Sequence, residues 1–173
     1  CVARGYRVAT REASALDHLL VPLLRKLVAA PVLARLGGRL RLAVVGGAAL
    51  DPELARTFLG LGLPVLQGYG MTEASPVISV NRDHDNVPES VGPPLAGIAV
   101  RLGDANELHV QGANVMLGYW RDAEATTAAF TRDGWLRTGD QAEIKEGKLY
   151  IRGRLKDVLV MSNGEKVAPQ DAE

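Results

Sequence analysis

In the stretch "QGYGMTEAS", Gln67 to Ser75, an aromatic ring, an alcohol and a carboxylate follow one another between and just after two glycines. Each side chain suits one part of a nucleotide. Tyr69 offers a flat apolar face with a polar tip, on which a purine can stack. Thr72 can donate to a phosphate oxygen. Glu73 can hold Mg²⁺ directly or through water, because that ion takes oxygen ligands and keeps several waters. Gly68 and Gly70 can take positive φ and let the backbone approach a ligand closely. The competing reading is a surface turn with an exposed tyrosine, and on this stretch alone the two readings are about evenly matched.

Three other segments carry chemistry of the same kind. In "VVGGAALD", Gly46 and Gly47 stand between a strand-like run and a helix start, where backbone amides suit an anion or a polar ligand edge. The plain alternative is a strand–helix turn. In "DGWLRTGD", Asp140 follows Thr138 and Gly139. A carboxylate accepting two hydrogen bonds is a natural partner for the two hydroxyls of a ribose, or else it satisfies a turn. In "GRLKD", Arg154 and Lys156 fall at the end of a β-rich region. Their plain reading is a solvated basic turn.

The elements that must position these residues are of two kinds. From Glu12 to about Ala30, leucines and valines recur at helical spacing, with a break expected at Pro22. "LRLAVV" reads as a buried, parallel strand and "LPVLQG" as the next strand. Between them Asp51 is an N-cap and Pro52 a first helical residue, for a helix running to about Leu61. Strand, helix, strand in that span implies a parallel α/β unit. After "SVGPPLAG" come short strands, "IAVRL", "ELHVQG", "WLRTGD", "QAEIK" and "KLYIRG", with one helix starting at Asp122. A strand and turn are expected in "VLVMSNGEKVAP". The expected fold is α/β: a partial parallel layer over residues 1–92, a β-rich module over 93–153, and a hinge with the start of a C-terminal domain over 154–173.

Composition narrows the function. Twenty basic and twenty acidic residues among 173 leave no net charge and no electrostatic footprint for nucleic acid. A single cysteine, Cys1, excludes an internal disulfide, and three dispersed histidines argue against a Cys/His metal cluster. A reducing, cytoplasmic setting fits. The apolar run from Leu16 to Leu36 is interrupted by Pro22, Arg25, Lys26 and Pro31, so it is not a membrane span. A core-facing helix is the expected reading, and a peripheral membrane contact is the second one.

Taken in order, "GGAAL", "QGYGMTEAS", "VGPPLAGIAVRL", "ELHVQGANVMLGYW", "TRDGWLRTGD", "LYIRGRLKD" and "SNGEKVAPQDAE" make the chain resemble the adenylate-forming acyl-CoA synthetase and luciferase superfamily. It looks most like the long-chain fatty acid–CoA ligase branch. The resemblance implies an enzyme that activates a carboxylic acid with ATP, giving acyl-AMP and pyrophosphate, and then forms the thioester with CoA. It implies small-molecule substrates (ATP, fatty acid, CoA) and Mg²⁺ as cofactor. By the same resemblance, Gly46, Gly47 and Ala48 line the adenine site and Tyr69 packs on adenine. Gly68, Gly70 and Met71 are nucleotide-binding, Gly68 and Gly70 also border the acyl carbonyl, and Thr72 contacts the α-phosphate region. Glu73 is the Mg²⁺ carboxylate, Asp140 and Arg154 bind the ribose hydroxyls, and Lys156 is the domain hinge. Asn106 departs from the family pattern "GEL", which has glycine there, and Ala49 stands where the long-chain branch commonly has proline. The family's phosphate loop and its C-terminal lysine do not occur in the chain, which therefore reads as a central piece expected to be inactive alone. An aryl-CoA ligase, a carrier-protein-loading adenylation domain and a non-catalytic module keeping the fold remain as alternatives.

Overall fold

The computed structural model describes residues 2–10, 14–157, 159–160 and 166–167. They fall into two compact units, Cys1–Gly68 with Asn81–Glu89, and Tyr69–Val80 with Ser90–Glu173.

The first unit is helical with a parallel strand pair. It contains α1 (Val2–Ala9), α2 (Ala15–Leu24), a π turn (Arg25–Ala29), α3 (Ala30–Ala34), β1 (Ala43–Val45) and α4 (Pro52–Leu61). It also holds most of β2 (Val65–Gly70), which carries the chain into the second unit. Helix α2 starts at a capping box: the Ser14 hydroxyl accepts from the Asp17 amide, and the Asp17 carboxylate accepts from the Ser14 amide. Asp17 is buried and also accepts from Nε and NH2 of Arg7 at 2.9 Å each. The Arg7 hydrogen bonds hold its carboxyl well below the usual carboxylate range. Pro22 does not break the helix but sits inside α2. The irregularity comes later, in the π turn, where the Ala30 amide reaches Arg25 O. That wider turn lies just ahead of Pro31, which has no amide to offer the ladder.

Burial in this unit departs from expectation at two places. On α2 the enclosed residues are Asp17 and Val21, whereas Leu16, Leu19 and Leu23 are exposed. The ion pair with Arg7 of α1 turns the Asp17 side inward. Strand β1 pairs parallel with β2, Ala43 opposite Val65, as expected. It is not buried, however: it has one neighbour in its sheet, and Val44 is 63% exposed. Helix α4 follows its caps as read from the sequence. Asp51 Oδ1 accepts from the Glu53 amide at 2.8 Å, and Gly62 ends the helix at φ +95°. No described helix is long and apolar enough to cross a membrane.

In the second unit, a one-turn 3₁₀ helix (Thr72–Ala74) leads into β3 (Val77–Val80). Four antiparallel strands follow in sheet order: β4 (Ile98–Leu102), β5 (Glu107–Gly112), β6 (Leu136–Lys145) and β7 (Lys148–Arg154). Helix α5 (Ala123–Ala129) lies between β5 and β6 in the chain and is capped by Asp122, as expected. Inward residues Leu108, Val110, Leu136, Ala142 and Leu149 close over Ala74, Ile78 and Val91 as the core. The expected strands "WLRTGD" and "QAEIK" are one strand, β6, bent in its middle where Gly139 takes φ +72°. Asn106 takes φ +58°, so the position where the family has glycine is a left-handed one. Asparagine is among the residues that tolerate that region best. After a turn at Leu155–Asp157, β8 (Leu159–Val160) and β9 (Lys166–Val167) pair antiparallel. The remainder of "VLVMSNGEKVAP" lies outside the described residues. The architecture is the mixed α/β one expected, a parallel pair followed by a β-rich module.

Helix α1, which has no counterpart among the sequence expectations, meets α4 at a glycine contact. A Cβ on Gly60 would stand 2.4 Å from the Val2 carbonyl oxygen, and one on Gly5 would stand 1.8 Å from that of Gly60. Backbone cannot yield as a side chain does. Gly60→Ala should therefore lower stability by about 1–3 kcal/mol, although alanine is otherwise the better helix former. Urea unfolding measures this, and an unchanged or raised midpoint would mean that α1 does not dock on α4.

Candidate active site

The nonapeptide around Tyr69 is not the flexible loop its glycines suggest. Gly68, Tyr69 and Gly70 are the end of β2, and neither glycine has positive φ. Gly70 is required for a different reason. A Cβ there would stand 1.9 Å from Pro76 O and 2.9 Å from Val77 Cα. The chain doubles back on itself at this point, and the Met71 amide donates to Pro76 O at 2.8 Å. The 3₁₀ turn that results leaves Thr72 exposed and Glu73 half-buried.

That turn is tied down by the segment after β5. The Met116 amide donates to Glu73 O at 2.8 Å, and Asn114 Nδ2 donates to Ala74 O at 2.7 Å. The Tyr119 hydroxyl donates to Glu73 Oε1 at 2.8 Å. This bond, with some burial, raises the Tyr119 phenol above its ordinary value. One carboxylate oxygen of Glu73 is therefore fixed, and Oε2 has no hydrogen bond among the described residues. A single oriented carboxylate fits Mg²⁺, which is held by one or two carboxylates together with water and substrate phosphate. No group of three or more His, Cys, Asp or Glu among the described residues forms an all-protein metal cage.

A second group of side chains gathers at the bend in β6. The Tyr69 hydroxyl donates to Asp140 Oδ2 at 2.6 Å, and Arg154 Nε lies 3.2 Å from Asp140 Oδ1. Asp140 and Arg154 are register partners on β6 and β7. Asp140 is buried, at 8% exposure, while the Arg154 side chain is largely open. Burial, then the bond to Asp140, pushes the Tyr69 phenol far above its ordinary range, so it remains a donor across all neutral pH.

The structure thus brings together Tyr69, Asp140 and Arg154, and places Glu73 on the turn that follows Tyr69 and Met71. Gly46, Gly47, Ala48 and Gly68 belong to the first unit. There Gly47 takes φ +86°, and a Cβ on Gly46 would stand 3.4 Å from Gly68 O. Lys156 is exposed on the Leu155–Asp157 turn. Residues without a role from sequence are Asn114 and Tyr119, which hold the Glu73 turn, and Glu107 and Thr138, which lie against the β6 bend. The stretch "ELHVQGANVMLGYW" contains three of the four, but its spacing does not reveal which backbone groups they would meet.

Against known proteins, the AMP-binding enzyme family matches residues 11–120. The chain belongs to that family. It is 43% identical over 145 residues to the long-chain-fatty-acid–CoA ligase FadD15 of Mycobacterium bovis, covering 83% of this chain and 24% of that protein. It is 40% identical over 150 residues to a feruloyl-CoA synthase of Amycolatopsis, covering 78% of this chain and 30% of that protein. Among solved structures it resembles the O-succinylbenzoate coenzyme A synthetase of Bacillus subtilis in complex with ATP and magnesium ion. There the TM-score is 0.65 at 30% identity, over 75% of this chain and 30% of that one. The chain thus spans about a quarter to a third of the length of these relatives.

The Tyr69–Asp140 bond makes its own prediction. Tyr69→Phe keeps the ring and removes the donor. A hydrogen bond to a charged group contributes about 1.5–3 kcal/mol net, so unfolding free energy should fall by roughly that amount. Chemical denaturation reads it, and a loss below about 0.3 kcal/mol would mean that water replaces the phenol without cost.

Proposed function

We propose that this chain is the nucleotide-handling part of an AMP-forming acid–thiol ligase. Such an enzyme joins a carboxylate to the α-phosphate of ATP, releasing pyrophosphate, and then passes the acyl group to the thiol of CoA. The observation that carries the reading is the buried Asp140 carboxylate, held by the Tyr69 hydroxyl and Arg154, in the same unit as the oriented Glu73. In this reading Tyr69 supports the adenine with its ring, and the adenine role of Gly46, Gly47 and Ala48 rests on the family resemblance alone. Asp140 and Arg154 take the ribose hydroxyls. Thr72 donates to the α-phosphate, Gly68 and Gly70 border the acyl carbonyl, and Met71 belongs to the nucleotide-binding residues. Glu73 would hold Mg²⁺, which when bound supplies charge neutralisation for the phosphates. Phosphoryl chemistry of this kind depends on positioning and electrostatics more than on covalent participation by the protein. The tied-down turn around Glu73 answers the first of those needs.

A long-chain fatty acid is the first candidate substrate, supported by the 43% identity to a long-chain ligase. The feruloyl-CoA synthase relative favours an aryl acid as the second reading. The test is pyrophosphate release by the full-length protein with ATP, comparing long-chain acids, aryl acids and amino acids. The highest kcat/KM should fall on the long-chain acids, and a preference for aryl or amino acids would reverse the order. Glu73→Gln should lower the rate by at least about 10-fold with little change in melting temperature. A collapse in stability with the rate retained would make Glu73 structural.

Lys156 is proposed as the pivot of a smaller domain that must rearrange between the two half-reactions. A hinge concentrates such a change in a few residues, and proline fixes φ while restricting the residue before it, Leu155. Lys156→Pro in the full-length protein should spare acyl-AMP formation and depress acyl-CoA formation. Equal loss in both steps would remove Lys156 from the hinge.

A further inference from the structure

The bend in β6 is a special bulge, larger than the usual two-against-one kind, with an unusual filling. Glu107 of β5 stands opposite Gln141 of β6, and His109 stands opposite Arg137. One residue of β5, Leu108, therefore faces three of β6, Thr138, Gly139 and Asp140. Such a mismatch leaves backbone groups without ladder partners. Here side chains replace the ladder. The Thr138 hydroxyl donates to Leu108 O at 2.8 Å and accepts from the Asp140 amide at 3.1 Å. The Gly139 amide donates to Glu107 Oε1 at 3.1 Å.

Glu107 is built for that task. It is buried, at 4% exposure, although its strand neighbour Leu108 occupies the core face. Its other oxygen, Oε2, accepts from Nε and NH2 of Arg137 at 3.0 and 2.9 Å, and from His109 Nε2 at 3.1 Å. Burial alone would raise its pKa, but the Arg137 and His109 hydrogen bonds, with the Gly139 amide, outweigh it and hold the carboxyl below its ordinary value. Removing one partner from a buried carboxylate network leaves the others uncompensated.

We propose that Glu107 is a positioning residue for nucleotide binding: by holding the Gly139 amide it fixes the bulge that aims Asp140 at the ribose. Glu107 touches no nucleotide itself, and the inference rests on the assignment of Asp140 to the ribose. The left-handed Gly139 turns its amide to Glu107, and the next residue is Asp140. Without the anchor, β6 can relax toward regular pairing, which would rotate Asp140 away from Tyr69 and Arg154.

The test uses the full-length protein and two probes, AMP and 2′,3′-dideoxy-AMP, with dissociation constants measured calorimetrically. Four variants are compared: Asp140→Ala, Glu107→Gln, Glu107→Ala and the double variant Glu107→Gln/Asp140→Ala. Glutamine matches glutamate in size but sets an amide N–H against either Gly139 or the Arg137 side, so it carries the test even where the alanine variant fails to fold. Asp140→Ala should weaken AMP about 10-fold and dideoxy-AMP less than 2-fold. Glu107→Gln should weaken AMP about 5-fold, again sparing dideoxy-AMP, and the double variant should bind AMP no worse than Asp140→Ala alone. Equal weakening of both probes by the Glu107 variants, full additivity in the double variant, or no effect of Glu107→Gln while Asp140→Ala keeps its selective loss would each overturn the positioning role. Loss of selectivity in Asp140→Ala itself would instead overturn the ribose assignment, and this inference with it.

Discussion

A carboxylate buried beside a strand must find donors, and a strand bent out of register must find partners for its amides. In the second unit of this protein the two requirements answer each other. The bulge at Thr138–Asp140 frees the Gly139 amide, and the Glu107 carboxylate takes it. The same bulge places Asp140 where a phenol from β2 and a guanidinium from β7 reach its two oxygens. Regular pairing of β5 with β6 would draw the Gly139 amide away from Glu107 and leave that carboxylate to Arg137 and His109. The site is therefore a consequence of a local failure of sheet geometry, stabilised by charged and hydroxyl side chains rather than by the backbone ladder.

The Glu73 turn is made on the opposite principle. Its geometry comes from steric necessity at Gly70, where the chain passes too close to Pro76 for any side chain. Side chains and amides from the segment after β5 then hold what that close approach creates. The same stretch of sequence, from Glu107 to Tyr119, thus supports both carboxylates proposed to face the nucleotide. One end acts through Glu107 on the β6 bulge and the other through Tyr119 on Glu73. Substitutions in this stretch can therefore reach either carboxylate without touching a residue proposed to face the ligand.

Much of this was legible in the residues. Asp51 with Pro52, and Asp122, announced two helices because capping is a local interaction between a side chain and amides two or three positions away. The parallel pair β1 and β2 followed from apolar runs flanking that first helix. Tyr69, Glu73, Asp140 and Arg154 stand out as candidates because stacking, metal binding and hydroxyl recognition call for such side chains, and the structure joins three of them, Tyr69, Asp140 and Arg154. What stayed hidden depends on residues distant in sequence. Nothing local to Gly70 says that Pro76 will approach it. Nothing local to "WLRTGD" and "QAEIK" says that they form one strand, since the apparent interruption is a bulge whose register is set by β5. The inward side of α2 was misjudged for the same reason, because Arg7 on another helix, and not the leucine pattern, decides it.

Asn106 shows how a departure from a family pattern can be informative about the backbone. Glycine at such a position signals a left-handed backbone, and φ +58° at Asn106 meets that demand with a side chain attached. Its neighbour Ala105 is also left-handed, at φ +54°, and alanine has no local hydrogen bond with which to offset the cost. Ala105 O accepts from Gln141 Nε2 at 2.9 Å, and Gln141 is the β6 residue opposite Glu107. The tight turn before β5 is thus clamped to the strand that carries Asp140, at the residue where regular pairing stops. Strain in the turn and order in the bulge are held by the same pair of strands. Glu107, the first residue of β5, joins the strained turn to the bulge, and this is where a carboxylate must be immobile if Asp140 is to be.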